Sequence, residues 1–560
     1  MNIHVTKSPT NNKHYVYLTE SYRDKDGKPR RRFIERLGIL EDMQAKEPNV
    51  LDRLKAEAKA MTAQERKEKI VTLSLDLSKK IDPSVHPLNY GYALLEKEYR
   101  NLKIDSFMKV HQACRKSRYD LDRILRLLVY SRVVEPSSKQ RTHTRKEQFF
   151  LGFEDIKLET IYRALDDLNT VKDTLMVHLN QTITEQGMRD ASLVFYDVTN
   201  YYFESEHMDG FREKGVSKEN KKTGLVQMGL FIDQNGIPIT YELFPGNTHD
   251  LKTMRPILEK IKKQFNFGKL TIVADKGNNS AENLAMIHDY GDDYIISQRI
   301  RGRGEKLINL VLDPQGYQVS ADGDFKFKLI RQDKTIERED GSEVTIEENL
   351  MCFWSENEMR YQRAKRGILE EKIERFIDNP ALLNASNSFG IKKYFKKIKV
   401  DKKTGEVLKG KDAYLFNEEK YQRDLALDGY YTIVTNNLDL HPFEIVKNYR
   451  QLSKIEESFK VIKSDLEGRP IFVRNQARIK GHFLTCFLAL TLLRIMQYKL
   501  DYEHPVHQIV EAIRRANCIE ISQDIFKMMP SNEVFEKLTN HYDIDFGYNF
   551  MRREHIKRQL

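Results

Sequence analysis

The sequence predicts an α/β protein with a sheet-centred core. That core is interrupted by a strand-rich stretch and preceded by a basic β-hairpin and a helical module. Three observations carry this. Between 193 and 298 the hydrophobic period switches from helical to strand-like, and elements arrive in the order β-β-β-α-β-α. From about 300 to 430 short alternating strands replace that order, and YYTIVTN (430–436) then returns to buried-strand character. At 560 residues the chain exceeds what one core supports, so two to four domains are expected.

The first 85 residues read as a basic hairpin and helix. HYVYLTESYR and RRRFIER flank DKDGKP, where Asp26-Gly27 suits the positive φ of a tight turn. Arg30, Arg31 and Arg32 lie beside Tyr22 and Phe33, which describes either a phosphate-tracking ribbon or a solvated charged hairpin. Residues 50–69 read as a charged helix. Residues 86–190 form a helical linker or binding module, in which Leu121, Ile124, Leu125 and Leu128 follow helical spacing.

The core opens with LVFYDVTNYYF (193–203), followed by LVQMGLFID, a Gln234-Asn235-Gly236 turn and IPITYELF. HDLKTMRPILEKIKKQF (249–265) reads as a helix with Asp250 as N-cap. LTIVAD, a helix from about Ser280 and DYIISQ complete the first part, 191–300. RNase H-like domains use that order, with helices covering the sheet. Residues 301–430 form a β-rich insertion, 431–500 the second part of the core, and 501–560 a basic helical tail.

Lys and Arg number 93 against 83 Asp and Glu, a net charge of +10 that suits a polyanionic partner. Four dispersed cysteines contain no CxxC pair, which argues against zinc and for a reducing compartment. The N-terminal residues carry no secretory pattern, and the apolar run 483–493 is too short to span a bilayer.

YRQLSKIEESFKVIK (449–463), read as one helix, aligns Leu452, Ile455, Phe459, Ile462 and Leu466 on an apolar stripe. Tyr449, Glu456 and Lys463 recur every seven residues on an adjacent stripe, about 10 Å apart. An amphipathic surface helix also fits that stretch taken alone. Asp197 lies within the first strand and Asp275 ends the fourth, and an RNase H-like sheet makes those strands neighbours. A mid-strand aspartate flanked by Tyr196 and Val198 is costly to bury without a ligand. Three carboxylates facing one cavity call for hard divalent cations such as Mg²⁺.

The motifs YDVTNYYFE, FPGNTHD, IVADKGNNSAEN, DGYYTIVTN and YRQLSKIEESFKVIKSDLEGRPIFV, in this order, resemble the DDE transposases of bacterial insertion sequences. The resemblance is to the group with a Y-x2-R-x3-E-x6-K signature and a β-rich insertion. It implies that Asp197, Asp275 and Glu456 are the catalytic metal ligands, with two Mg²⁺ ions per site and Mn²⁺ as a substitute. It further implies Tyr449 and Lys463 as DNA-phosphate contacts. Leu452 stands where the signature has arginine, and Arg450 is the nearest basic residue. Thr199 and Asn200 either support Asp197 or make simple strand-end hydrogen bonds, and His249 reads as a turn residue. Trp354 is either a surface for a flipped base or part of a buried strand, MCFWS. Double-stranded DNA is the implied partner, bound by a homodimer on paired ends, with a cytoplasmic, nucleoid-associated location and no membrane. A nuclease without strand transfer and a catalytically silent DNA-binding protein are the alternatives.

Overall fold

Residues Met1–Ser84 form one unit and Val85–Leu560 a second in the computed structural model, and each is described by itself. The structure describes all residues except 10–11, 24–28, 70–77, 79–85, 114–118, 205–206, 216–222, 303, 339, 379–389, 401–410 and 523.

In the first unit, strands β1 (Asn2–Lys7), β2 (His14–Arg23) and β3 (Pro29–Ile39) form an antiparallel sheet in chain order. The expected hairpin is β2 with β3, while its Asp26-Gly27 turn lies outside the described residues. Val16, fully buried, packs with Val50 and Leu54 of the helix Val50–Lys69 and with Ile3 and Val5 of β1. Two register shifts between β2 and β3 add local twist.

The second unit is built on a mixed sheet. Its small strand β4 (Leu88–Asn89) is followed by β5 (Leu193–Tyr202), β6 (Leu225–Asp233), β7 (Pro238–Pro245), β8 (Thr271–Ala274) and β9 (Asp293–Gln298). Then come β10 (Gln318–Val319), β11 (Phe325–Glu337), β12 (Glu343–Ser355), β13 (Phe395–Val400), β14 (Lys411–Phe416) and β15 (Tyr430–Thr435). Nine of these form one sheet in the order β10-β11-β12-β15-β9-β8-β5-β6-β7. Strands β5, β8 and β9 run parallel and every other pairing is antiparallel. Every residue of β6 is buried, as expected for a strand covered on both faces.

The β-rich stretch 301–430 does not stand apart from the central sheet. Met351 and Cys352 of β12 pair with Ile433 and Thr432 of β15, so β11 and β12 continue the central sheet. The physical reason is the edge that β15 would otherwise present, a row of unpaired backbone groups beside buried apolar side chains. Among the described residues of this stretch, the hairpin β13–β14 and the helices Glu356–Asp378 and Glu418–Ala426 gather a small core of their own, around Phe376, Tyr394 and Tyr421. The tip of that basic hairpin, 401–410, lies outside the described residues.

The C-terminal segment is not wholly helical either. Strands β16 (Asn517–Ser522), β17 (Ile525–Met528) and β18 (Phe550–Arg552) pair with β4 in a second sheet, ordered β18-β17-β16-β4. CIEIS alternates apolar with polar residues, a period of two, and Asp524 takes a positive φ of 60° at the turn.

The helix Gln476–Lys499 is, among the described residues, the one long and apolar enough to cross a membrane. Its apolar window is 94% buried within the fold, against the helices Leu158–Glu185 and Leu121–Val134. Gly481 permits that approach, because a Cβ there would stand 2.3 Å from the Leu165 carbonyl oxygen. Gly481→Ala is expected to destabilise the protein by about 1–3 kcal/mol through overpacking, read as a lower urea midpoint.

Next to this helix Lys139 is buried with Arg132, His482 and Cys486, its Nζ 3.5 Å from His482 Nδ1. Burial, then the Arg132 charge, lower the Lys139 pKa to about 7, against 10.5 in the unfolded chain. Between those pH values the unfolded chain binds the additional proton, so this residue makes stability rise as pH is raised from 7 toward 10. Lys139→Met is expected to raise stability at pH 7 by about 1–4 kcal/mol and to flatten that rise, measured as urea midpoints at pH 7 and 9.

Candidate active site

Alternation along β5 sends Asp197, Thr199 and Tyr201 to one face and Tyr196 to the other. Tyr196 is accordingly buried against the covering helix, donating to Thr253 Oγ1 at 2.7 Å, while the Tyr201 ring packs on Phe483 of the core helix. Asp275 follows Ala274, the last residue of β8, which pairs with Tyr196 in parallel register. Asp197 and Asp275 thus stand one step beyond paired residues on adjacent strands, whose backbones lie roughly 5 Å apart.

Two donors hold one oxygen of Asp275. Ser297 Oγ of β9 donates to Oδ1 at 3.0 Å and the Tyr449 hydroxyl at 3.4 Å. Burial, reinforced by the charges of Asp275 and Glu456, keeps the Tyr449 phenol protonated well above its ordinary range, so it acts as a donor.

The stretch 449–463 is not the single straight helix its spacing suggests. One helix, Pro442–Arg450, opens with a His441 capping box and Pro442 in its first turn. Bonds of the i→i−3 type at Gln451, Leu452, Lys454 and Ile455 tighten the chain before the helix Ser453–Lys460, and a π turn at Val461–Asp465 widens it afterwards. Buried Arg494 of the core helix clamps the middle piece, donating to the Lys454 carbonyl at 3.2 Å and Ser458 Oγ at 2.9 Å. Ile455 and Phe459 are buried and Glu456 is exposed. Lys463 donates to Thr199 Oγ1 and lies over the Tyr201 ring.

These pieces enclose a cavity of about 760 Å³ lined by Asp197, Thr199, Asn200, Asp275, Leu452, Glu456 and Lys463. Among the described residues, no three His, Cys, Asp or Glu side chains are gathered closely enough to hold one ion. The three carboxylates share the cavity without converging into a cage. Arg450 is exposed at its helix end and does not line the cavity. Trp354 is half-buried on β12, also off the cavity. Its indole N–H donates to the Asp428 carbonyl at 3.1 Å. Arg30, Arg31 and Arg32 are exposed on β3 of the first unit, where Arg31 Nη1 meets His4 Nδ1 at 2.7 Å.

Five further charged residues line the same cavity without having been singled out for it: Lys214, Asp250, Lys276, Arg299 and Arg469. The segment 249–265 is not one helix capped by Asp250. The His249 ring accepts from the Leu251 backbone N–H at 3.4 Å, a short turn follows at Asp250–Lys252, and the helix begins at Met254. That arrangement leaves the Asp250 carboxylate on the cavity, where the Gln227 amide reaches it at 3.4 Å. Gly246, in the same PGN turn, is required by close approach, since a Cβ there would lie 2.3 Å from the Leu225 carbonyl oxygen. Position could have drawn attention to Arg299, which follows β9 two residues after Ser297.

An oxygen-rich cavity ringed by lysine and arginine, at the ends of parallel strands, suits an anionic substrate and hard cations. A family model described as "Transposase DDE domain" matches residues 189–492, over half of the chain, and "IS1634 family transposase, N-terminal domain" matches residues 3–72. The chain belongs to the DDE transposases of insertion sequences, enzymes that cleave and transfer DNA strands. No curated protein matches it. Among solved structures, the piggyBac transposase synaptic complex with hairpin DNA is similar at 6% identity and a TM-score of 0.38, over 84% of this chain and 83% of that one. The Mos1 transposase paired-end complex with left transposon end is similar at 9% identity and a TM-score of 0.15, over 43% of this chain and 66% of that one. Such distant likenesses carry no residue correspondence.

Ser297→Ala removes the shorter of the two hydrogen bonds to Asp275. Strand cleavage is expected to slow about 10–100-fold, with DNA binding in a gel-shift assay unchanged.

Proposed function

We propose that this transposase moves its element by a cut-and-paste route, from an RNase H-like core whose metal ligands are Asp197, Asp275 and Glu456. The observation that carries the reading is that these three acids, from segments far apart in the chain, line one cavity. Their donor chemistry fits Mg²⁺, with Mn²⁺ as a substitute, because all three offer hard carboxylate oxygens. When bound, two such ions activate the attacking oxygen and stabilise the leaving oxygen of in-line phosphoryl transfer.

The residues divide the remaining work. Ser297 and Tyr449 hold one oxygen of Asp275, which leaves the other directed to ligand. Asp197 is fixed within a paired strand, so the exposed Glu456 side chain is the member with freedom to swing toward the aspartates. Lys463, beside Thr199, would contact phosphate at the cavity and exposed Arg450 just outside it, while Tyr449, whose hydroxyl donates to Asp275 and which is not on the lining, would act through Asp275 instead of on phosphate. Arg30, Arg31 and Arg32 on their ribbon would track phosphates elsewhere along the duplex. Trp354 remains a sheet residue in this account. The acting form is a homodimer on paired element ends, cytoplasmic and working on nucleoid DNA.

Asp197→Ala, Asp275→Ala and Glu456→Ala are each expected to leave end binding intact and to slow strand cleavage by about 1,000-fold or more. Chelation should stop the wild-type reaction and added Mg²⁺ restore it. Cutting by a purified triple variant would overturn the assignment, and cutting with no joining to target DNA would identify a nuclease instead.

A further inference from the structure

The acids of this cavity create a difficulty for its substrate. Asp197, Asp250, Asp275 and Glu456 all line it, and a phosphodiester entering them is repelled unless uncommitted positive charge meets it. Three nearby cations are already held by other groups. Lys463 donates to Thr199, the Arg469 guanidinium lies 5.2 Å over the Tyr202 ring, and Arg301 is paired with Asp428 at 2.8 Å.

Arg299 differs from all of these. It follows β9, two residues beyond the Ser297 that bonds Asp275 and two before Arg301. It lines the cavity and is exposed, and among the described residues it forms no ion pair. Leu452, also on the lining, is apolar, and Arg450 stands outside. Lys214 and Lys276 are also exposed on the lining, but an ammonium offers a point charge, whereas a guanidinium presents a planar fork matched to two phosphate oxygens.

We propose that Arg299 binds the phosphate of the DNA strand being cut through a two-pronged contact and sets it against Asp275. This role rests on the assignment of cleavage to this cavity, and the test separates the two.

The full-length chain would be assayed with MgCl₂ on a supercoiled plasmid carrying the DNA that flanks its coding sequence. Single-turnover nicking would be followed for the wild type, Arg299→Ala, Arg299→Lys and Asp197→Ala. Arg299→Ala should melt at the wild-type temperature, nick about 10–100-fold more slowly, and lose about one from the slope of log affinity against log salt. Arg299→Lys should recover the slope and only part of the rate. Wild-type nicking by Arg299→Ala, or slow nicking with an unchanged salt slope, overturns the role of Arg299 if Asp197→Ala is inactive. Nicking by Asp197→Ala would instead overturn the assignment of the cavity, and the role of Arg299 with it.

Discussion

The parallel pairing of β5 with β8 is the constraint on which the rest of this structure depends. It makes residues far apart in the chain into register neighbours, and it stops one residue short of both aspartates. Because the pairing fixes which face each side chain leaves from, Asp197 shares a side with Thr199 and Tyr201 while Tyr196 anchors the opposite layer. A slip of one residue would exchange those roles, burying a carboxylate where a phenol now packs. The burial of β6 on both faces resists such a slip, because its pairing with β5 extends the length of the strand.

The third carboxylate reaches the site by a different principle. Glu456 is carried by a helix whose neighbouring turns are tightened on one side and widened on the other, and whose backbone is clamped by an arginine from the core helix. Strand-borne acids are placed by a hydrogen-bonded ladder. A helix-borne acid is placed by packing and retains side-chain freedom at the surface. The contrast suits a site whose charges must stay apart until something positive stands among them.

Much of this organisation was legible in the sequence. Runs such as LVFYDV and LVQMGLFID are long, β-branched and aromatic, and they became strands of the central sheet at nearly the expected limits. That Asp197, Asp275 and Glu456 face one cavity was expected from the two strand positions, the helical stripe and the motifs around them. What could not be read were features decided by tertiary contact. The tightened turn at Leu452 leaves no mark in the hydrophobic spacing, since both helices keep the same apolar stripe. The joining of β12 to β15 pairs residues far apart in the chain, and alternation alone does not say which sheet a strand enters. Asp250 passed for a helix cap because Asp before an amphipathic run ordinarily is one, and the His249 ring took that place instead. Arg299 sat unnoticed because a basic residue after a strand is unremarkable until the cavity beside it is known.

The weaving of β11 and β12 into the central sheet also limits how this architecture can change. A module joined through flexible linkers could be exchanged or lost as a cassette. Here, excision would bare the flank of β15 and the apolar side chains beneath it, leaving a surface prone to self-association. A change in length would be accommodated best at the hairpin β13–β14, which packs in a small core separate from the main one, while the two long strands belong to the enzyme's frame.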